Sequence, residues 1–93
     1  MTRNYNDPQY KQWRQLIKKR DRNTCQWPGC QSRFKIHAHH IQKWADFPGL
    51  RYHPLNGISL CKIHHDLIKN NEENYSQFFS KLILNKMREN NEK

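Results

Sequence analysis

Carboxylates and long apolar runs are both scarce in this chain of 93 residues. No apolar run approaches the ~20 residues that a membrane-spanning helix needs, so we expect no membrane span. Residues 1–12 lack the apolar segment of a signal peptide, and we expect an intracellular protein. With only eight Asp and Glu residues, a hydrolase built on paired carboxylates has few candidates. The hydrophobic share of 34% predicts a thin core that needs a staple such as a metal ion.

Cysteine is also scarce, with three residues: Cys25, Cys30 and Cys61. An odd number without a secretory signal argues against a disulfide framework. We therefore interpret the thiols as metal ligands that need a fourth ligand of another type.

Positive charge is abundant. Seventeen Lys and Arg residues against eight Asp and Glu give a net charge of +9. A small domain this basic most often binds a polyanion, of which nucleic acid is the common one. The alternative is a basic surface that only contacts solvent.

The pattern of helix and strand signals predicts one domain over 1–93. Asp7 is placed to cap the first helix, with Pro8 at its first position. Asn56-Gly57 is a strong turn signal. The expected order is a helix over about 7–22, a cysteine knuckle at 25–30, a strand at 34–41, a loop at 42–55, a strand at 58–60, and helices over about 61–69 and 72–89. Apolar stripes are expected on the outer helices, at Tyr10, Trp13, Leu16 and Ile17, and at Tyr75, Phe78, Phe79, Leu82, Ile83 and Met87.

Two short knuckles carry the thiols: Cys25-x4-Cys30 and Cys61-x2-His64. Zinc prefers four tetrahedral nitrogen and sulfur ligands, and two knuckles joined by a hairpin can supply them. We therefore predict a structural Zn²⁺ site. The alternative is a set of buried structural thiols with His64 nearby by chance.

A second constellation consists of His39, His40, Asn56 and His65. Neighbouring residues of a regular strand point to opposite faces, so His39 and His40 share a site only if the strand bends. His65 lies about 100° around its helix from His64. We expect His64 to face the zinc and His65 to face the hairpin. The alternative is that these histidines are solvated or replace other zinc ligands.

Three runs together resemble the HNH endonucleases: His39-His40-Ile41, 56–61 (NGISLC) and Cys61-x2-His64-His65. The resemblance covers about 25–67, and the flanks resemble small HNH proteins of phages. It implies an α+β fold, a small zinc-stapled ββα-metal (His-Me finger) core over about 25–70 with flanking N- and C-terminal helices. His64 stands where many members have their last zinc cysteine.

The resemblance also implies roles for the second constellation. His40 resembles the general base that activates water, while His39 and His65 resemble the ligands of a catalytic divalent ion. Asn56 resembles the residue that ties the loop across the hairpin. The implied products are 3′-hydroxyl and 5′-phosphate ends of DNA. The ion is left open among Mg²⁺, Mn²⁺, Ni²⁺ and Zn²⁺.

Basic residues of the first helix and of the loop are the candidate DNA contacts. Arg51 is a candidate clamp for the scissile phosphate, and we expect Trp44 to pack on the zinc knuckle. The helical candidates are Lys11, Arg14, Lys18, Lys19 and Arg20, with Arg22 at the end of the same run.

Two other functions compete with the nuclease. One is a zinc-stapled DNA-binding module without catalysis, and the other is an accessory protein that binds a phage terminase or another packaging partner. A binding module has no need of His40, Asn56 and His65 together, which favours the enzyme. The pattern leaves open a monomer or a homodimer. A phage-encoded protein would act in the cytoplasm of the bacterial host.

Overall fold

The computed structural model describes residues 7–42 and 47–91, with side chains up to 88; Trp44 lies outside these ranges. The fold is a small α+β arrangement, as predicted. Its elements are α1 (Pro8–Arg20), β1 (His37–His40), β2 (Gly57–Leu60), α2 (Lys62–Leu67) and α3 (Glu72–Asn91). In this part of the chain no helix is both long enough and apolar enough to cross a bilayer.

Helix α1 begins and ends with side-chain and backbone caps. The Asp7 carboxylate accepts from the Gln9 N–H at 2.9 Å, which confirms the predicted start. At the other end, the N–H groups of Arg22 and Asn23 return to the carbonyls of Lys19 and Lys18, the two bonds of a Schellman motif. Tyr10, Trp13 and Ile17 are buried as predicted, but Leu16 is 46% exposed and lies outside the core.

The two strands form an antiparallel hairpin in which His37 pairs with Leu60 and His40 with Gly57. The first strand is shorter than predicted, because Lys35 has φ of 48° and cannot continue an extended strand. Phe34 accordingly lies outside the sheet and is 67% exposed.

The connection between the strands contains two 3-10 turns, Pro48–Leu50 and Pro54–Asn56. Asn56 closes the second turn, but Gly57 has φ of −145° and is the first residue of β2. The glycine is needed for packing rather than for a turn. A Cβ at Gly57 would lie 2.6 Å from Trp13 and 2.7 Å from Ile17, so the glycine allows the close approach of α1 to the hairpin at this residue.

The core lies where β2, α2 and α3 meet the cysteine knuckle. Its fully buried members include Ile58, Leu60, Ile68, Phe79 and Ile83. Cys25 and Cys61 belong to the same cluster. The predicted stripe of α3 is confirmed except at its edge, where Phe78 is 40% exposed. Because the apolar cluster is small, the thiols form a substantial part of it.

Candidate functional site

The four predicted zinc ligands converge in space. One donor atom from each of Cys25, Cys30, Cys61 and His64 lies within 4.8 Å of the others. The cluster could bind a metal ion. The cysteines are free thiols, and the 3.9 Å between the sulfurs of Cys30 and Cys61 is far longer than a disulfide bond.

The separations match the geometry of a tetrahedral zinc site. Zn–S bonds of about 2.3 Å place two sulfurs about 3.8 Å apart, and a sulfur about 3.6 Å from a nitrogen ligand. Cys30 and Cys61 are separated by 3.9 Å between sulfurs. The Nδ1 atom of His64 lies 3.6 Å from the Cys25 sulfur and 3.3 Å from the Cys61 sulfur. Histidine therefore fits at the position where the resembled family usually has cysteine.

Local structure holds the knuckle in place. The Cys25 N–H donates to the Ser32 carbonyl at 2.7 Å, and the Cys30 N–H donates to the Trp27 carbonyl at 2.9 Å. The chain turns between them at Gly29, whose φ of 82° suits glycine. Trp27 also stacks on His64, with ring centroids 4.7 Å apart, and so orients the only imidazole of the cluster.

Burial and hydrogen bonds set the thiol pKa values. Burial raises the pKa of Cys25 to about 11. The pKa of the Cys61 thiol is lowered. Burial, the largest single cause, opposes the shift, but hydrogen bonds from the backbone N–H groups of His64 and Ile63 and from the thiols of Cys25 and Cys30 together outweigh it. Cys61 precedes α2 directly, at the end where helical N–H groups favour a thiolate.

The histidine cluster of His37, His39 and His65 lies on the other side of α2 from the thiols. His65 meets His39 edge to face with centroids 5.9 Å apart, and it stacks on His37 at 4.8 Å. The expected division between His64 and His65 is thus confirmed. Among the described residues, the thiol cluster is the only group of three or more close donors, and these three histidines do not converge as tightly.

His40 points away from His39, as the alternation of a regular strand requires. Its ring lies against Trp13, with centroids 3.9 Å apart and planes 8° from parallel. Its Nε2 atom lies 2.8 Å from the backbone carbonyl of Arg51. A carbonyl can only accept, so Nε2 carries a proton, and in the neutral imidazole Nδ1 is then the basic nitrogen. No bend brings His39 and His40 onto one face.

Asn56 ties the connection across the hairpin, as the family resemblance implied. Its Nδ2 atom donates to the carbonyls of Leu50 at 2.9 Å and Gln42 at 3.3 Å. Its Oδ1 atom accepts from the Gln42 N–H at 2.7 Å. The residue is 4% exposed, so these bonds are made away from water.

The predicted DNA contacts differ in how far they are exposed. Lys11 and Lys19 are exposed, while Arg14, Lys18 and Arg51 are half-buried. Burial and the nearby Arg14 lower the pKa of Lys18. Arg51 contacts His40 through its backbone carbonyl.

Arg20 has a structural position instead. The guanidinium of this side chain, which is 12% exposed as a whole, forms a two-pronged ion pair with Asp21 at 2.8–2.9 Å. It also donates to the carbonyls of Pro54 and Gly57. These bonds fasten α1 to the hairpin.

Sequence reasoning missed two residues near the histidines. Trp13 was assigned only to the core. Lys62 was not considered; it forms an ion pair with Asp66 at 2.8 Å, and its charge is among those that act on His37. Burial, with the neighbouring charges of His65 and Lys18, lowers the pKa of His37. The spacing of Lys62 and Asp66 along α2 is the signal that could have found this pair.

Comparisons with protein-family models, with curated proteins and with solved structures find no match to this chain.

Proposed function

We propose that this chain is a metal-dependent DNA endonuclease that hydrolyses phosphodiester bonds to 3′-hydroxyl and 5′-phosphate ends. The observation that carries the proposal is the setting of His40. Its Nε2–H donates to the Arg51 carbonyl, which leaves Nδ1 as the nitrogen able to accept a proton. A neutral imidazole of this kind suits a general base at neutral pH.

The order of elements supports a ββα-metal fold. β1, β2 and α2 follow one another along the chain. β1 carries His39 and His40, and α2 carries His65, which meets His39 at 5.9 Å. The resemblance to HNH endonucleases assigns the base and the ion ligands to these same positions.

Each group of residues then has a distinct task. The cluster of Cys25, Cys30, Cys61 and His64 would hold a structural Zn²⁺. A divalent ion at His39 and His65 would supply positive charge for the scissile phosphate. On the chain itself, His40 would take the proton of the attacking water, while Asn56 holds the loop that carries the Arg51 carbonyl. The proposal requires the base and the ion to reach one phosphate although His40 and His39 lie on opposite faces of β1.

The test is single-turnover cleavage of supercoiled plasmid in Mg²⁺, Mn²⁺, Ni²⁺ or Zn²⁺. His40→Ala is expected to slow cleavage by ~10²–10⁴-fold, the usual contribution of a general base, with zinc content and DNA binding retained. His53→Ala is the matched control, because His53 is an exposed histidine of the same loop. If His40→Ala cuts at the wild-type rate, His40 is not the general base.

A non-catalytic zinc-stapled DNA-binding module is the second candidate. The observation in its favour is the burial of His40, which is 8% exposed beneath Trp13. In that case wild-type protein would bind DNA but cut none of it in any of the four ions.

A further inference from the structure

A polar groove opens away from the histidines, between the end of α1, the cysteine knuckle and α3. Its volume is about 540 Å³. Its lining includes Arg20, Arg22, Gln26, Gln31, Arg33 and Lys86. Four of its lining residues are cationic and one, Asp21, is anionic, so the groove has a formal charge of +3 (4 − 1). We call it the Arg22 groove.

The floor of the groove is built and internally bonded. The Asp21 carboxylate accepts from Lys86 at 3.2 Å and from the backbone N–H of Ser59 at 3.0 Å. Lys86 also donates to the Gln26 side chain at 3.0 Å. Asp21 thereby neutralises part of the charge of Lys86 and Arg20, and the ion pairs hold both cations in place.

The rim carries two arginines that are exposed to solvent, Arg22 and Arg33. Arg33 is partly oriented, because its Nε–H donates to the Thr24 hydroxyl at 3.3 Å. Guanidinium groups present a planar fork of donors that matches the oxygens of a phosphate. The groove therefore combines a fixed cationic floor with two donors that a ligand can reach.

Backbone conformation gives an independent reason to single out this rim. Arg22 has φ of 56° and Gln31 has φ of 58°, in the left-handed region that favours glycine. Arg22 occupies the position after the α1 cap where glycine is the usual residue. Side chains are kept here at a cost in folding stability, and such positions concentrate at binding sites.

We propose that the Arg22 groove binds a phosphate group, with Arg22 and Arg33 as the contacting side chains and Arg20 and Lys86 as positioning residues. The phosphate belongs either to a DNA backbone or to a free polyphosphate. The DNA form of the proposal rests on the proposed nuclease function, since it extends the DNA-binding surface of that enzyme beyond the histidines.

The decisive variant is Arg22→Gly. It removes the phosphate contact and also relieves the left-handed backbone, so we expect unchanged or higher melting temperature together with weaker binding. By fluorescence anisotropy with a labelled DNA duplex, without added divalent ions, the affinity should fall on the order of tenfold. The slope of log affinity against log salt should shrink by about 0.9, the value for one phosphate contact. Arg33→Gln should have a similar effect.

Lys35→Gly is the matched control. Lys35 has φ of 48° and carries one positive charge, but it is not among the residues that line the groove. The substitution relieves the same kind of backbone strain as Arg22→Gly and also deletes one positive charge. Equal weakening by Lys35→Gly and Arg22→Gly would show that only net charge matters, and would overturn the proposal.

Tripolyphosphate distinguishes the two sources of phosphate. If tripolyphosphate competes with the duplex, and Arg22→Gly binds both ligands more weakly than the wild type does, the groove is a phosphate site that DNA can use. If only tripolyphosphate binds in an Arg22-dependent way, the ligand is a free polyphosphate. Wild-type affinity of Arg22→Gly for both probes would overturn the proposal. If the wild-type protein binds DNA in an Arg22-dependent way but does not cut it, the result counts against the proposed nuclease and not against the groove.

Discussion

The imidazole of His40 lies flat against the indole of Trp13, with ring centroids 3.9 Å apart. The indole Nε1–H also donates to the His53 carbonyl at 3.0 Å. Trp13 thus touches both the candidate base and the loop that leads from Arg51, whose carbonyl bonds His40. A residue of the first helix therefore positions a histidine of the hairpin.

Trp13→Phe should separate these two contacts, because it keeps an aromatic face and deletes the N–H donor. The part-buried His53 carbonyl then loses its partner, and we expect the free energy of unfolding to fall by about 0.5–1.5 kcal/mol. Cleavage should slow as the loop loosens. Denaturant titration and single-turnover rates measure the two effects. Wild-type values in both would mean that the hydrogen bond contributes nothing to positioning His40.

Gly57→Ala should destabilise the protein, because its Cβ would lie 2.6–2.7 Å from the side chains of Trp13 and Ile17. Overpacking of this kind costs about 1–3 kcal/mol. Gly49→Ala is the matched control: a Cβ there meets nothing within 4 Å. Thermal melting of the two variants should therefore differ clearly. Equal melting temperatures would contradict the close approach of α1 to β2.

The sequence could predict those parts of the site whose residues lie close together along the chain. The knuckles, and the turn of 100° between His64 and His65, are local features of the chain, and the structure has both. The stacking of His40 on Trp13 and the bonds of Arg20 to the hairpin join residues far apart along the chain. Local periodicity carries no information on such contacts, so the structural bonds of Arg20 could not be predicted from the sequence.

The limits of the first strand were mispredicted for a different reason. Phe34 and Ile36 have side chains typical of strands. Yet the intervening Lys35 has a left-handed backbone, and a lysine side chain does not indicate that conformation. Lys35 lies in a bend before the strand, and propensity alone could not reveal its conformation.

Asp21→Asn should be strongly destabilising. The carboxylate is fully buried and accepts from Arg20, Lys86 and the Ser59 N–H. Loss of its charge leaves two cations without their counter-ion, and breaking a buried pair in this way costs about 3–5 kcal/mol. Asp66→Asn removes an exposed ion pair with Lys62 and should change stability little. Denaturant titration measures the free energy of unfolding of both variants. Equal losses in Asp21→Asn and Asp66→Asn would contradict this account.

The purified protein should contain one zinc ion per chain, and Cys25→Ser should lose both the ion and most of the fold. Structural zinc contributes about 10 kcal/mol or more to folding in small domains, and the apolar core here is small. Burial raises the pKa of Cys25 to about 11, so without metal this thiol is protonated at neutral pH. Zinc binding must displace that proton, and zinc affinity should therefore fall as the pH falls. Competition with a chromophoric chelator between pH 6 and pH 8 measures the trend.

His64→Cys distinguishes loss of a ligand from damage to the fold. A thiolate is an equally suitable zinc ligand, and Cys61 and Trp27 already surround this position. We expect His64→Cys to keep one zinc and the wild-type circular dichroism spectrum, whereas His64→Ala should lose zinc affinity. His65→Ala should leave the structural zinc in place, because His65 faces His37 and His39 instead. A well-folded wild-type protein without zinc, or a His65→Ala variant that loses it, would show that the thiol cluster is not the metal site.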